Sequence, residues 1–202
     1  KNSGIALTDV KKLLCSKIHE ERLCGALILV EKFQKAKEDG KKEVYDFYMK
    51  NLHGINNWDL VDLTADKIVG THLAQGAGEG TGAGEGAERG TAAHNGRKVL
   101  YALAKSKNLW ERRIAIISTF RFIKNKEHTD AFRIAQMLLK DEHDLIHKAV
   151  GWMLREVGKK ISEETEEAFL KKHYREMPRT ALRYAIERFP AARRKAYMEG
   201  II

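Results

Sequence analysis

"NLWERRIAIISTF", residues 108–120, and "DLIHKAVGWMLRE", residues 144–156, are one kind of segment written twice. Each opens on polar or basic residues and runs into small and aliphatic ones at helical spacing. They match at an offset of 36 residues. "IHKAVGWMLREV", from Ile146, matches "PRTALRYAIERF", from Pro178, at an offset of 32, and "EERLCGALILVEKF", from Glu20, has the same character. A period of this size belongs to paired helices that stack, because one pair alone cannot bury its apolar face. The expectation is an all-α fold, a HEAT-like helical repeat solenoid with a concave basic groove.

The rest of the chain agrees. Apolar residues recur at helical spacing almost throughout, no period-two strand is visible, and the only prolines are Pro178 and Pro190. Helices are expected over 8–16, 20–38, 41–51, 57–72, 97–106, 109–124, 129–140, 143–158, 162–175 and 178–188, with a short one after Pro190. Residues 74–96 break the pattern and hold half of the 16 glycines. Each glycine costs a helix about 1 kcal/mol relative to alanine, so a flexible loop or linker is expected inside a single domain spanning 1–202. A phosphate-cradling loop is excluded there. The glycines from 76 to 86 all occupy even positions, whereas GxGxxG and GxxxxGK need an odd offset, and no strand precedes the segment.

Lysine and arginine number 37 against 28 acidic residues, a net charge of +9. That balance favours anionic partners, nucleic acid above all, although interspersed charge also fits a plain basic surface. Cys15 and Cys24 form no CxxC and no metal-ligand pair, which suggests a reducing compartment; two small core residues are the plainer alternative. No apolar run approaches the roughly 18–20 residues of a membrane span. The chain starts at Lys1 without a visible signal peptide, as a trimmed piece of a longer protein would.

Polar residues on helices decide the functional reading. In "HGINNWDLVDL", residues 53–63, Asn56 or Asn57 suits an N-cap, and Asp59 then lies in the first turn, where the helix dipole favours an acid. Asp62 lies beyond that turn. At 100° per residue it sits 40° from Trp58, with Val69 in the same sector and Val61, Ala65 and Ile68 on the apolar face to one side. A structural aspartate and a functional carboxylate are equally compatible with this placement. Trp152 follows Gly151, which makes room for a neighbouring helix or a ligand backbone; a core tryptophan is the plainer alternative. Arg112 and Arg113 follow Trp110 in a first turn where salt bridges are common. His143 and His147 have zinc-compatible spacing, but HExxH and a third ligand are lacking, so a structural pair is favoured and no metal is expected.

"NNWDLVDL", "NLWERRIAIIS", "DLIHKAVGWMLREVGK" and "KKHYREMPRTALRYAIERF" together resemble the AlkD-type DNA alkylation repair family, over about residues 10–73 and 97–200. The resemblance implies a DNA glycosylase that hydrolyses the N-glycosidic bond of cationic alkylated purines such as 3-methyladenine and 7-methylguanine. The family's W-x-x-x-D arrangement maps onto Trp58 and the catalytic Asp62, and its later G-W tryptophan onto Trp152. Its arginine after "LW" maps onto Arg113, or alternatively Arg112; Lys148 and Arg155 are further cations expected on DNA. The implied protein works without cofactor, as a monomer, on double-stranded DNA and not on membranes. The rival readings are a non-catalytic DNA-binding relative and a protein-binding helical scaffold. Family members carry additional N-terminal helical sequence, and the glycine block stands where they have a short connection.

Overall fold

A computed structural model describes residues 4–75 and 96–202. Apart from Ala74, Gln75 and Gly96, the glycine-rich segment lies outside the described residues. Among those described there is no strand, and no helix is long and apolar enough to cross a membrane. The chain divides into two compact units, Lys1–Val99 and Leu100–Ile202.

The first unit holds α1 (Leu7–Leu14), α2 (His19–Lys35), α3 (Glu38–Lys50), α4 (Trp58–Thr64) and α5 (Thr71–Gln75). Helix α2 packs against α1, α3 and α4. Val10, Leu14, Leu29, Phe33, Ile55, Leu60 and Val61 are buried in this core, each contributing about 1.5–3 kcal/mol on removal from water. The Tyr48 hydroxyl is buried but satisfied, 2.8 Å from Thr64 Oγ1, which in turn donates to the Leu60 carbonyl at 2.7 Å. A Cβ on Gly54 would stand 2.6 Å from the Leu14 carbonyl oxygen, so the turn before α4 is pressed onto the end of α1.

The helix expected over 57–72 is present but not regular. Between α4 and α5 the chain widens into a π turn, Asp66–Gly70, where the Gly70 amide donates to the Ala65 carbonyl five residues back at 2.8 Å. The extra residue changes the angular register. Val69 is therefore fully buried and not a companion of half-exposed Trp58.

The second unit holds most of α6 (Lys98–Ala104), then α7 (Leu109–Ser118), α8 (Phe120–Lys124), α9 (Thr129–Leu138), α10 (Asp144–Lys160), α11 (Glu163–His173), α12 (Arg179–Ala185) and α13 (Ala191–Glu199). Helix α10 is its centre, packing on α7, α8, α9, α11 and α12. The single helix expected over 109–124 breaks at Thr119. Ser118 Oγ donates to the Ile114 carbonyl and Thr119 Oγ1 to the Ile116 carbonyl, both at 2.6 Å, and such back-bonding bends helices. Pro178 and Pro190 each immediately precede a helix, where no amide is needed.

The repeat has a structural signature that the apolar pattern did not contain. Ser16, Ser106 and Asp141 each accept, through a side-chain oxygen at 3.0 Å, the amide two residues on: Ile18, Asn108 and His143. Their own carbonyls accept from the residue six on: Arg22 Nη1, Arg112 Nη1 and His147 Nε2. Helices α2, α7 and α10 thus begin with one joint. The joint fixes the offset between α7 and α10 at 35, since Ser106 corresponds to Asp141 and Arg112 to His147; the offset of 36 is one residue out.

Arg112 also links successive repeats. Its Nε lies 2.6 Å from Asp141 Oδ2 and its Nη2 3.3 Å from Oδ1, a bidentate, largely buried pair. Arg112→Ala and Asp141→Ala are each expected to lower stability by about 2 kcal/mol, because each leaves a desolvated partner unpaired. A double-mutant cycle by urea denaturation should show the pair costing clearly less than the two single losses added. Additive losses would mean that the contact contributes nothing.

Glu166, on α11, is 2 % exposed, and its Oε1 has no hydrogen-bond partner. A Cβ on Gly158 would lie 1.9 Å from Glu166 Oε2, so α10 meets the carboxyl with bare backbone. Burial, helped by the charge of Glu163 and opposed by Arg155 and Arg188, raises its pKa to about 8. In the unfolded chain the same carboxyl titrates in the ordinary glutamate range, so the folded state holds a proton that the unfolded state gives up. This contribution is complete at low pH, shrinks as pH rises from about 4.5 toward 8, and is flat above that. Glu166→Gln is expected to match the parent near pH 5 and to exceed it by about 2 kcal/mol at pH 8, after allowance for rearranging arginines and entering water. Unfolding titrations at the two pH values check this; a Gln variant with the parent's pH slope would refute it.

Candidate functional site

Helix α4 positions Trp58 and Asp62 in the first unit. Asn57 is extended, at φ −148° and ψ 156°, and its side chain accepts the Trp58 amide at 2.8 Å, so the cap is Asn57 and not Asn56. Asp59 accepts the Leu60 amide at 2.8 Å through Oδ1 and faces His19 Nε2 at 2.7 Å through Oδ2. This carboxylate, explained from sequence by the helix dipole alone, also ties α4 to the first turn of α2. His19 gave no local signal, because its partner is forty residues away. Trp58 remains 53 % exposed, an unusual fate for so large an apolar ring. Asp62, one turn on, is half-buried beside buried Val61 and Ala65. An indole open to solvent and a half-sheltered carboxylate therefore share one helix edge.

Close to this helix, Cys15 Sγ lies 3.4 Å from His53 Nε2. Both cysteines are free and exposed, which rules out the plainer alternative of two core residues: Cys15 closes α1 and Cys24 sits on an open face of α2.

The second unit holds the other expected site residues. Arg113 is 4 % exposed and donates to the Leu145 carbonyl in the first turn of α10. Arg112 directs its donors to Asp141 and to the Ser106 and Lys107 carbonyls. Lys148 pairs with Asp144 at 2.7 Å on the surface. Their hydrogen bond raises the lysine pKa and lowers that of the aspartate. Exposed pairs of this kind contribute little and open readily to another anion. Arg155 pairs with exposed Glu187. Trp152 is half-buried, its ring tilted against Phe120 at 6.0 Å.

Lys148, Trp152 and Arg155 lie on one face of α10 by helical spacing. Gly151, between them, admits a neighbouring helix: a Cβ there would meet the Ala181 carbonyl oxygen at 2.3 Å and Tyr184 Cβ at 2.5 Å. Tyr184 was not singled out from sequence, yet it is 37 % exposed beside this face.

His143 caps α10 by accepting the Leu145 amide at Nδ1, and His147 binds the Asp141 carbonyl. Both histidines are thus accounted for by the helix start. Among the described residues no group of three or more His, Cys, Asp or Glu is placed to hold a metal.

Capped, stacked helices presenting solvent-open aromatics, surface cations and one sheltered carboxylate define an all-α protein of helical repeats. The model of the DNA alkylation repair enzyme family matches residues 2–189, and the chain belongs to that family. A solved structure described as a predicted DNA alkylation repair enzyme from Enterococcus faecalis is similar in fold, with a TM-score of 0.65 at 15 % identity, covering 94 % of this chain and 80 % of that one. No curated protein matches the sequence. Membership supports a role in DNA alkylation repair, with DNA as the substrate.

Proposed function

We propose that the protein is a monofunctional DNA glycosylase that releases cationic alkylated purines, such as 3-methyladenine and 7-methylguanine, from double-stranded DNA in base excision repair. The observation that carries this is Asp62: a half-buried carboxylate one turn from a solvent-open indole, in a chain of this family. A methylated purine already bears positive charge, so it leaves as a neutral base with little acid assistance. As the C1′–N bond breaks, charge passes to the deoxyribose, and a nearby carboxylate stabilises it. Water then bonds to C1′ and gives up its proton, which the same carboxylate can take.

Trp58 and Trp152 offer π faces to a cationic sugar or base. Lys148 and Arg155, paired with the surface carboxylates of Asp144 and Glu187, are proposed as phosphate contacts. Arg113 and Arg112, whose donors are engaged within the unit, hold the starts of α7 and α10 in place. Neither a metal nor a cofactor enters this scheme, and the protein is proposed to act as a cytoplasmic monomer.

The test is release of free methylpurine from methylated duplex DNA. Release of 3-methyladenine and 7-methylguanine, without cleavage of the strand, is expected. Salt-dependent binding without release would indicate a non-catalytic relative. No salt-dependent binding would favour a protein-binding scaffold.

A further inference from the structure

We propose that Tyr184 is a further nucleotide-contacting residue, its ring taking the face of an unstacked base or sugar in disrupted DNA, beside Lys148. The inference rests on the glycosylase reading only in that the ligand is damaged DNA.

The core does not need this ring. On α12 the buried positions are Ala181, Leu182 and Ala185, with Ile186 following, whereas Tyr184 stays 37 % exposed. Its hydroxyl has no hydrogen-bond partner among the described residues. The root of the side chain is nevertheless fixed. At Gly151, α10 and α12 approach so closely that a Cβ would fall 2.5 Å from Tyr184 Cβ. An aromatic ring on a rigid seam loses little freedom on binding, which is what a stacking platform requires.

Its neighbours have the complementary chemistry. Lys148, one turn before Gly151, lies within electrostatic reach of the Tyr184 phenol. Arg155, one turn after, is paired to Glu187, the residue three beyond Tyr184. An aromatic flanked by cations that can reach phosphates is the arrangement that binds unstacked nucleotides without reading their sequence. A plain duplex offers no unstacked face, so the ring should distinguish a disrupted site from an intact one.

The experiment measures binding of the full chain to a fluorescent duplex carrying a tetrahydrofuran abasic-site analogue, and to the same duplex intact, at one salt concentration. Tyr184→Ala is expected to weaken binding to the abasic duplex about tenfold, the order of one stacked contact, with intact-duplex affinity and Tm little changed. Tyr184→Phe should retain parental affinity. Tyr184→Leu, which keeps apolar cover on the seam, should behave like the alanine variant and guards against a folding defect. Parental affinity of Tyr184→Ala for the abasic duplex would overturn the proposal, as would an equal loss on both duplexes or a loss in Tyr184→Phe. If the parent protein itself binds neither duplex, the glycosylase reading fails as well, which separates the two failures.

Discussion

Asp62→Ala is expected to slow release of 3-methyladenine from methylated duplex DNA by about a hundredfold or more, while affinity for the duplex falls little. Removing one group aimed at developing transition-state charge typically costs 10²–10³ in rate, and Asp62 offers the half-buried carboxylate on the helix edge it shares with Trp58. Asp62→Asn separates charge from shape, since the amide keeps the volume and most of the hydrogen-bonding capacity. It should be nearly as slow as the alanine variant. Single-turnover release with protein in excess isolates the chemical step, and parallel binding measurements show that DNA is still engaged. Release at the parental rate in either variant would remove Asp62 from the reaction. A variant that loses binding and release together would assign the residue to the fold or to DNA contact instead.

Gly151→Ala carries the largest expected effect on stability, a loss of about 3 kcal/mol. Two opposing terms decide the sign. Alanine in place of glycine inside a helix ordinarily gains about 1 kcal/mol. Here the new methyl would fall 2.3 Å from the Ala181 carbonyl oxygen and 3.1 Å from the Ala185 amide nitrogen. Both are backbone atoms of α12, so no side chain can rotate away and α12 itself must move. Overpacking of this kind costs 1–3 kcal/mol or more, and the best-packed helix pair of the second unit is at stake. Urea unfolding measures the loss directly. A neutral or stabilised variant would show that α10 and α12 do not approach as described.

Sequence and structure agree where the physics is local. Apolar spacing placed nearly every helix, because a stacked helix must bury one stripe whatever its neighbours are. The asparagines before Trp58 marked a cap, since an N-cap is read from one residue and the few that follow. Agreement fails where distance along the chain is large or geometry departs from 100° per residue. The π turn at Asp66–Gly70 moved Val69 out of the sector assigned to it. Ser118 and Thr119 divided one expected helix through hydroxyls whose carbonyl bonds are not encoded in polarity alone. The His19–Asp59 and Arg112–Asp141 pairs join residues 40 and 29 positions apart, and no single-sequence signal links such partners. For the candidate site, the pattern identified Asp62 as unexplained by its own helix, and the resemblance carried by the ordered motifs implied a role for it. Tyr184 escaped notice because its significance depends on the absent side chain of Gly151.

The joint that opens α2, α7 and α10 bears on how such a chain can grow. Its parts are two residues six apart, and both ends of each bond lie within the segment that they shape. A copied stretch of gene therefore carries its own corner with it and turns the new helix correctly before any neighbour is in place. Ser16, Ser106 and Asp141 need not be identical for this, nor need Arg22, Arg112 and His147: an acceptor followed six positions later by a donor is sufficient. The likeness of the three helix starts thus lies less in their aliphatic residues, which any helix shares, than in the spacing of a few polar ones.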